Sequence, residues 1–139
     1  MSEISRELVI DATVENLSEV QAFLESNMEE AGCSPKAQMQ VSLISEEIFV
    51  NIAHYAYKEG TGTATVHLEI SDTPATVTVT FLDHGTPFDP LARPDPDVTL
   101  PVEERGIGGL GIFMTKKTMD EVTYEYKDGQ NILKIRKNL

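Results

Sequence analysis

A short apolar run, Leu8-Val9-Ile10 within Glu7 to Asp11, predicts a strand near the start of the chain. From Leu17 the spacing changes. Leu17, Val20, Phe23, Leu24, Met28 and Ala31 recur every three or four positions, which gathers them on one side of a helix. Asn16 and Glu19 have the spacing of a capping box at its start, and Gly32 supplies the left-handed residue that ends it. Ser34-Pro35 opens a second helix, with Ser34 as N-cap and Pro35 in the first turn, where its missing N–H has no bond to lose. The helical pattern then continues to about Tyr57.

Beyond a polar turn at Lys58 to Gly62, the runs Thr63 to Ile70 and Thr76 to Leu82 alternate β-branched residues, with Asp72 to Pro74 between them, and predict a hairpin. From Gly85 to Gly111 no element is expected: five of the seven prolines fall between Pro87 and Pro101, and four of the nine glycines between Gly106 and Gly111. Leu110 to Thr118 resumes a helical spacing. Val122 to Tyr126 and Asn131 to Arg136 form a last hairpin that turns at Asp128-Gly129. Strands that come in hairpins, with the helices elsewhere, indicate α+β: a two-layer sandwich of an antiparallel or mixed sheet with helices on one face. At 139 residues the expectation is one domain, 1–139.

Composition narrows the function. A formal net charge of −12 argues against a nucleic-acid or anionic-membrane partner, since both would repel it. The single cysteine, Cys33, precludes an intrachain disulfide. No apolar stretch approaches the ~20 residues needed to span a bilayer, and the first residues lack the basic start and apolar run of a signal peptide, so the expected location is cytoplasmic.

Leu43, Ile44, Glu47, Ile48, Asn51, His54 and Tyr55 share one face of the second helix, so Glu47 and Asn51 stand one turn apart in an apolar stripe. A carboxylate turned into a dry core is costly. Either the stripe lies at a wet rim, or the helix lines a cleft. In the cleft reading Asn51 offers an amide oxygen to a hydrated divalent cation, and Glu47 accepts a proton from an attacking hydroxyl or water. His54 is expected at the helix end near Tyr57, and Glu46 as a solvated or partner-facing acid.

Two glycine-bearing strings follow. Asp83-His84-Gly85 ends an apolar strand, where a carboxylate can accept a hydrogen bond from an exocyclic amine such as that of adenine, and Gly85 lets a base approach the backbone. Gly106-Ile107-Gly108-Gly109-Leu110-Gly111 leads into a helix and frees backbone amides to face an anion. No strand precedes it, so a dinucleotide fold is disfavoured, and no Walker loop occurs in the chain.

In this order the three stations resemble the GHKL (Bergerat-fold) ATPases, whose histidine-kinase-like ATPase fold is a sheet covered on one face by helices. The resemblance implies that Glu47 and Asn51 form the acid/asparagine box, Asp83 and Gly85 the first glycine box, and Gly106, Gly108, Gly109, Leu110 and Gly111 the second. Within that superfamily the chain looks most like the anti-sigma-factor serine/threonine kinases of bacterial partner switching. That likeness rests on its size, the Glu47/Asn51 spacing and the Asp83 to Pro90 string ending Phe88-Asp89-Pro90. It implies Glu47 as catalytic base, Asn51 as ligand of Mg2+ (magnesium), ATP as phosphoryl donor, and a lid from Phe88 to Arg105. The implied acceptor is a serine on a STAS-domain anti-anti-sigma protein. A sigma factor is a further candidate partner, and a homodimer through the first strand and helix is compatible with the likeness. Arg105, beside the second box, reads either as a phosphate contact or as a solvated loop arginine. Sensor histidine kinases fit poorly, because His54, His67 and His84 lie on the box helix, in a strand and in the first glycine box. A nucleotide-gated binding module and a simple ATPase are the alternative functions.

Overall fold

Threonine, valine and isoleucine recur in the strands, where branched side chains fit a pleated half-buried surface. They form β1 (Ile4–Asp11), β2 (Thr63–Asp72), β3 (Ala75–Asp83), β4 (Glu121–Lys127) and β5 (Gln130–Asn138). The structure, a computed structural model, describes residues 3–57, 62–87, 115 and 117–139. The lid, Arg105, the second glycine box and most of the helix expected from Leu110 to Thr118 lie outside the described residues.

The sheet order is β1-β2-β3-β5-β4, and every pairing is antiparallel. The fold class expected from the sequence is therefore correct, and the sheet is antiparallel throughout. The last hairpin turns where Asp128 and Gly129 take positive φ values of 54° and 77°. β5 then inserts beside β3, leaving β4 at the edge.

Among the described residues, α1 (Leu17–Ala31) and α2 (Pro35–Tyr55) cover one face of the sheet. Val20, Leu24 and Met28 of α1 meet Val41, Ile44, Ile48 and Phe49 of α2 over Val66, Leu68, Val79, Phe81 and Ile135 of the sheet, all buried. Truncating such a residue, Leu24→Ala for example, costs about 2–5 kcal/mol.

The expected helix signals fare differently. Ser34 caps α2 by accepting a hydrogen bond from the Ala37 N–H at 3.2 Å. Gly32 closes α1 at φ 86°, with the N–H groups of Gly32 and Cys33 bonding the carbonyls of Glu29 and Met28. The capping box does not form. Asn16 ends a 3₁₀ turn, Val14–Asn16, at φ −88° and ψ 1°, and its amide donates to the Asp11 carbonyl at 3.0 Å. An N-cap side chain needs an extended backbone to reach forward, and Asn16 lacks one.

Candidate functional site

On β3 the side chains of Val77, Val79 and Phe81 point to the helices, and the same two-residue period brings Asp83 to that side as well. Its neighbours across the sheet are Ala64, which adds little bulk, and Asn131. Asp83 is only 5% exposed. A buried carboxylate requires partners, and this one is well held. Its Oδ1 accepts from the Gly85 N–H at 2.9 Å and from the Asn131 amide at 3.0 Å. Among the described residues Oδ2 accepts no hydrogen bond.

Asn131 is the clamp of this corner. Its Nδ2 donates to Asp83, to the Thr86 carbonyl at 2.9 Å and more weakly toward the Gly85 carbonyl at 3.5 Å, while its Oδ1 accepts from the Tyr124 hydroxyl. One amide thus ties β5 to the loop that leaves β3.

Gly85 shows why glycine is needed there. A Cβ on Gly85 would lie 2.2 Å from the Ala56 carbonyl oxygen and 2.6 Å from its carbon, at the end of α2. The Thr86 N–H bonds that same oxygen at 2.9 Å. The strand end and the helix end meet backbone to backbone, and only a residue without a side chain fits between them.

Tyr57 is the second brace. Its hydroxyl donates to the Thr63 carbonyl at 2.7 Å and accepts from the His84 N–H at 2.8 Å. Burial pushes this hydroxyl above its ordinary pKa, and the nearby Asp83 charge adds to the rise against the opposing His84 hydrogen bond.

Between α2 and the ends of β3, β4 and β5 lies a cleft of about 550 Å³, counted to its open mouth. Ile48, Ile52, Phe81 and Leu133 give it apolar walls, and Asn51, Asp83 and Asn131 supply polar groups. Apolar walls with a few placed polar groups are the usual make-up of a small-molecule site.

The structure thus brings Asn51 and Asp83, from elements far apart in sequence, to one cleft. Asn51 is half-buried, with no hydrogen bond to its amide among the described residues. Gly85 is buried behind Asp83. Glu47 is half-buried one turn before Asn51, outside the cleft lining. Leu43, expected on the apolar stripe, is 59% exposed, because the core-facing arc of α2 passes through Ile44 and Ile48. The His54 ring stacks edge-on to Tyr55, at 6.0 Å, at the exposed end of a helix that stops at Tyr55. Among the described residues no cluster of three or more His, Cys, Asp or Glu is placed to hold a metal.

Asn131, Tyr124 and Tyr57 were not expected from the sequence. The available signal was the parity of β5, in which Asn131 precedes Leu133 and Ile135 on the inward side. A polar residue in that row calls for a buried partner.

A family model of the histidine kinase-like ATPase domain matches residues 10–137. The chain belongs to that family. The resemblance stated from the sequence is thus borne out, and two residues that it singles out, Asn51 and Asp83, line the cleft of this histidine kinase-like ATPase domain. The domain is 26% identical to the serine/threonine-protein kinase BtrW of Bordetella bronchiseptica over 100 residues, covering 72% of this chain and 70% of that protein. It is 32% identical to the serine-protein kinase RsbW of Listeria monocytogenes over 108 residues, covering 74% of this chain and 68% of that one. The RsbW of Listeria innocua matches to the same extent. Among the described residues no helix of the domain is long and apolar enough to cross a membrane.

Proposed function

We propose that this domain binds ATP in the α2 cleft and transfers its terminal phosphoryl group to a serine hydroxyl on a STAS-type regulatory protein. The observation that carries the nucleotide reading is Asp83. One carboxylate oxygen is fixed by Gly85 and Asn131 and the other accepts nothing among the described residues, so an acceptor is available at the cleft for an exocyclic amine. Asn51 suits a magnesium ion, since it is a hard oxygen donor at the cleft with no competing hydrogen bond among the described residues. Bound there with waters and phosphate oxygens, the ion would supply charge neutralisation for the triphosphate.

In the transfer, Glu47 takes the proton of the serine hydroxyl as its oxygen forms a bond to the γ-phosphorus. The bond from that phosphorus to the β,γ-bridging oxygen breaks, and ADP leaves with the electron pair. The serine kinases to which the chain is similar support this reading. The position of Glu47 outside the cleft lining favours a second reading, a binding module that uses ATP only to shape a surface.

Asp83→Ala deletes the acceptor and leaves the amine unpaired, so ATP affinity should fall about tenfold to a hundredfold, roughly 1–3 kcal/mol. GTP, with a carbonyl at that edge, should bind poorly to the native domain. Equal ATP and GTP affinities by calorimetry would refute the adenine assignment. Labelled ATP with magnesium and a STAS-type protein separates the two functions. Glu47→Gln should slow transfer about 10²–10⁴-fold with little change in ATP affinity; transfer at the native rate would remove Glu47 from the chemistry.

A further inference from the structure

The outer side of the helical layer carries a second concavity, which the ATPase reading does not use. It is a shallow groove of about 800 Å³, counted to its open mouth, running between α1 and α2 away from the cleft. Met39 and Leu43, one turn apart on α2, line it at 62% and 59% exposure. Single exposed apolar residues are ordinary. This pair is adjacent on one helix face, whereas the other large exposed apolar residues among those described lie elsewhere in the chain or, in the case of Tyr55, three turns further along α2.

Carboxylates surround the pair. Glu25 and Glu29 reach over from α1 and Glu46 stands at the far end of the groove. Two of them are held in place by neutral donors: Ser42 Oγ bonds Glu25 at 3.1 Å and Gln38 Nε2 bonds Glu29 at 2.8 Å. Such bonds orient the carboxylates and leave their charge uncompensated. Across both helices six glutamates face one lysine, Lys36, at the start of α2. Arg6 of β1 pairs with Glu30, which follows Glu29 on α1 and does not line the groove.

We propose that this groove docks a cationic amphipathic helix of a partner protein, its apolar side against Met39 and Leu43 and its lysines or arginines against Glu25, Glu29 and Glu46. Charge complementarity selects that occupant. A second copy of this chain is a poor one: its net charge is −12, and α1 and α2 together contain only one lysine and no arginine, so neither offers a cationic side. The lining residues of α2 run from Pro35 to Glu46, a rise of about 16 Å, which accepts a partner helix of about three turns.

The test uses a short amphipathic Leu/Lys peptide, a Leu/Glu peptide of inverted charge and a Lys/Gln peptide without an apolar side, each titrated into the full chain. The Leu/Lys peptide should shift the Met39 and Leu43 methyl resonances, and the other two should not. Met39→Ser with Leu43→Ser should weaken that binding at least about tenfold (~1.4 kcal/mol), as should Glu25→Gln with Glu29→Gln. Both pairs are exposed, and circular dichroism checks that each variant folds. If one pair fails to fold, the other pair and the methyl map decide. Binding unaffected by these substitutions, shifts confined to the strands or the nucleotide cleft, or equal binding of the Lys/Gln peptide would overturn the proposal. Methyl shifts that track protein concentration without peptide would assign the groove to self-association instead.

Discussion

Asn131→Ala is the most searching perturbation of the cleft, because one amide holds three other groups. Its loss takes a charge-assisted hydrogen bond from Asp83 Oδ1, leaving the bond from Gly85. It removes the donor to the Thr86 carbonyl, which lies on an exposed residue that water can reach, so that loss costs little. It also takes one hydrogen-bond acceptor from the half-buried Tyr124 hydroxyl. A hydrogen bond to a charged group is worth about 1.5–3 kcal/mol and a neutral one about 1, so the variant should lose about 2–4 kcal/mol of stability. Urea unfolding followed by circular dichroism reads this directly as a lower midpoint at constant slope. ATP affinity should fall as well, since Asp83 is no longer fixed. Asn131→Asp sharpens the test. It would place a second carboxylate against Asp83 where the amide now donates at 3.0 Å, so a repulsive contact replaces a hydrogen bond. That variant should have a lower urea midpoint at neutral pH than Asn131→Ala. An Asn131→Ala protein with the native urea midpoint would refute the clamp.

Three further outcomes follow from the same geometry. Gly85→Ala forces a methyl to within 2.2 Å of a backbone oxygen that cannot swing aside, so stability should drop by at least the ~1–3 kcal/mol of ordinary overpacking, with a lower urea midpoint. Asn51→Ala should weaken nucleotide binding in magnesium far more than in chelator; equal losses by calorimetry would make Asn51 structural. Burial pushes the Cys33 thiol above its ordinary 9.0, so folding keeps this contribution below that pH and loses it as pH rises through the folded value. Melting temperature should therefore decline from about pH 9 upward, and Cys33→Ala should flatten that decline.

How far the sequence could be read depended on whether a feature was local. Ser34-Pro35, Gly32 and Asp128-Gly129 were legible because each dictates the backbone of its own few residues. Asn16 looked like a cap but was drawn back to Asp11 by a preceding 3₁₀ turn, which spacing alone does not encode. Hairpin partners were visible, whereas the pairing of β3 with β5 was not, since it joins strands separated by the long loop. The role of Asn131 depends entirely on that pairing, so it was invisible even though its inward parity was readable. Likewise the need for glycine at position 85 lies in Ala56, a residue 29 positions earlier. Asn51 stood out as a polar residue within an apolar helical stripe, and Asp83 as the acid of an Asp-x-Gly string that follows an apolar strand.

The layout of α2 gives the proposed chemistry an order in space. Gly85 and Thr86 fix the Asp83 corner against Ala56, at the end of the helix. Counting back from Ala56 at the helical rise, Asn51 lies about 7.5 Å away along the axis and Glu47 about 13.5 Å. On the proposed reading, a nucleotide anchored by its base at Asp83 runs back along the helix. Its phosphates then come to Asn51 before anything reaches Glu47. A base that serves an incoming hydroxyl belongs beyond the phosphates, where the acceptor arrives, so catalysis by Glu47 does not require it to line the nucleotide cleft. Leu43 stands one turn further on, at the edge of the acidic groove. A protein seated there would lie within one helical turn of Glu47, so partner docking and phosphoryl transfer should respond together to changes on this stretch of α2. Leu43→Ser that weakened the cationic helix while leaving transfer to a STAS-type protein untouched would show that groove and cleft serve different partners.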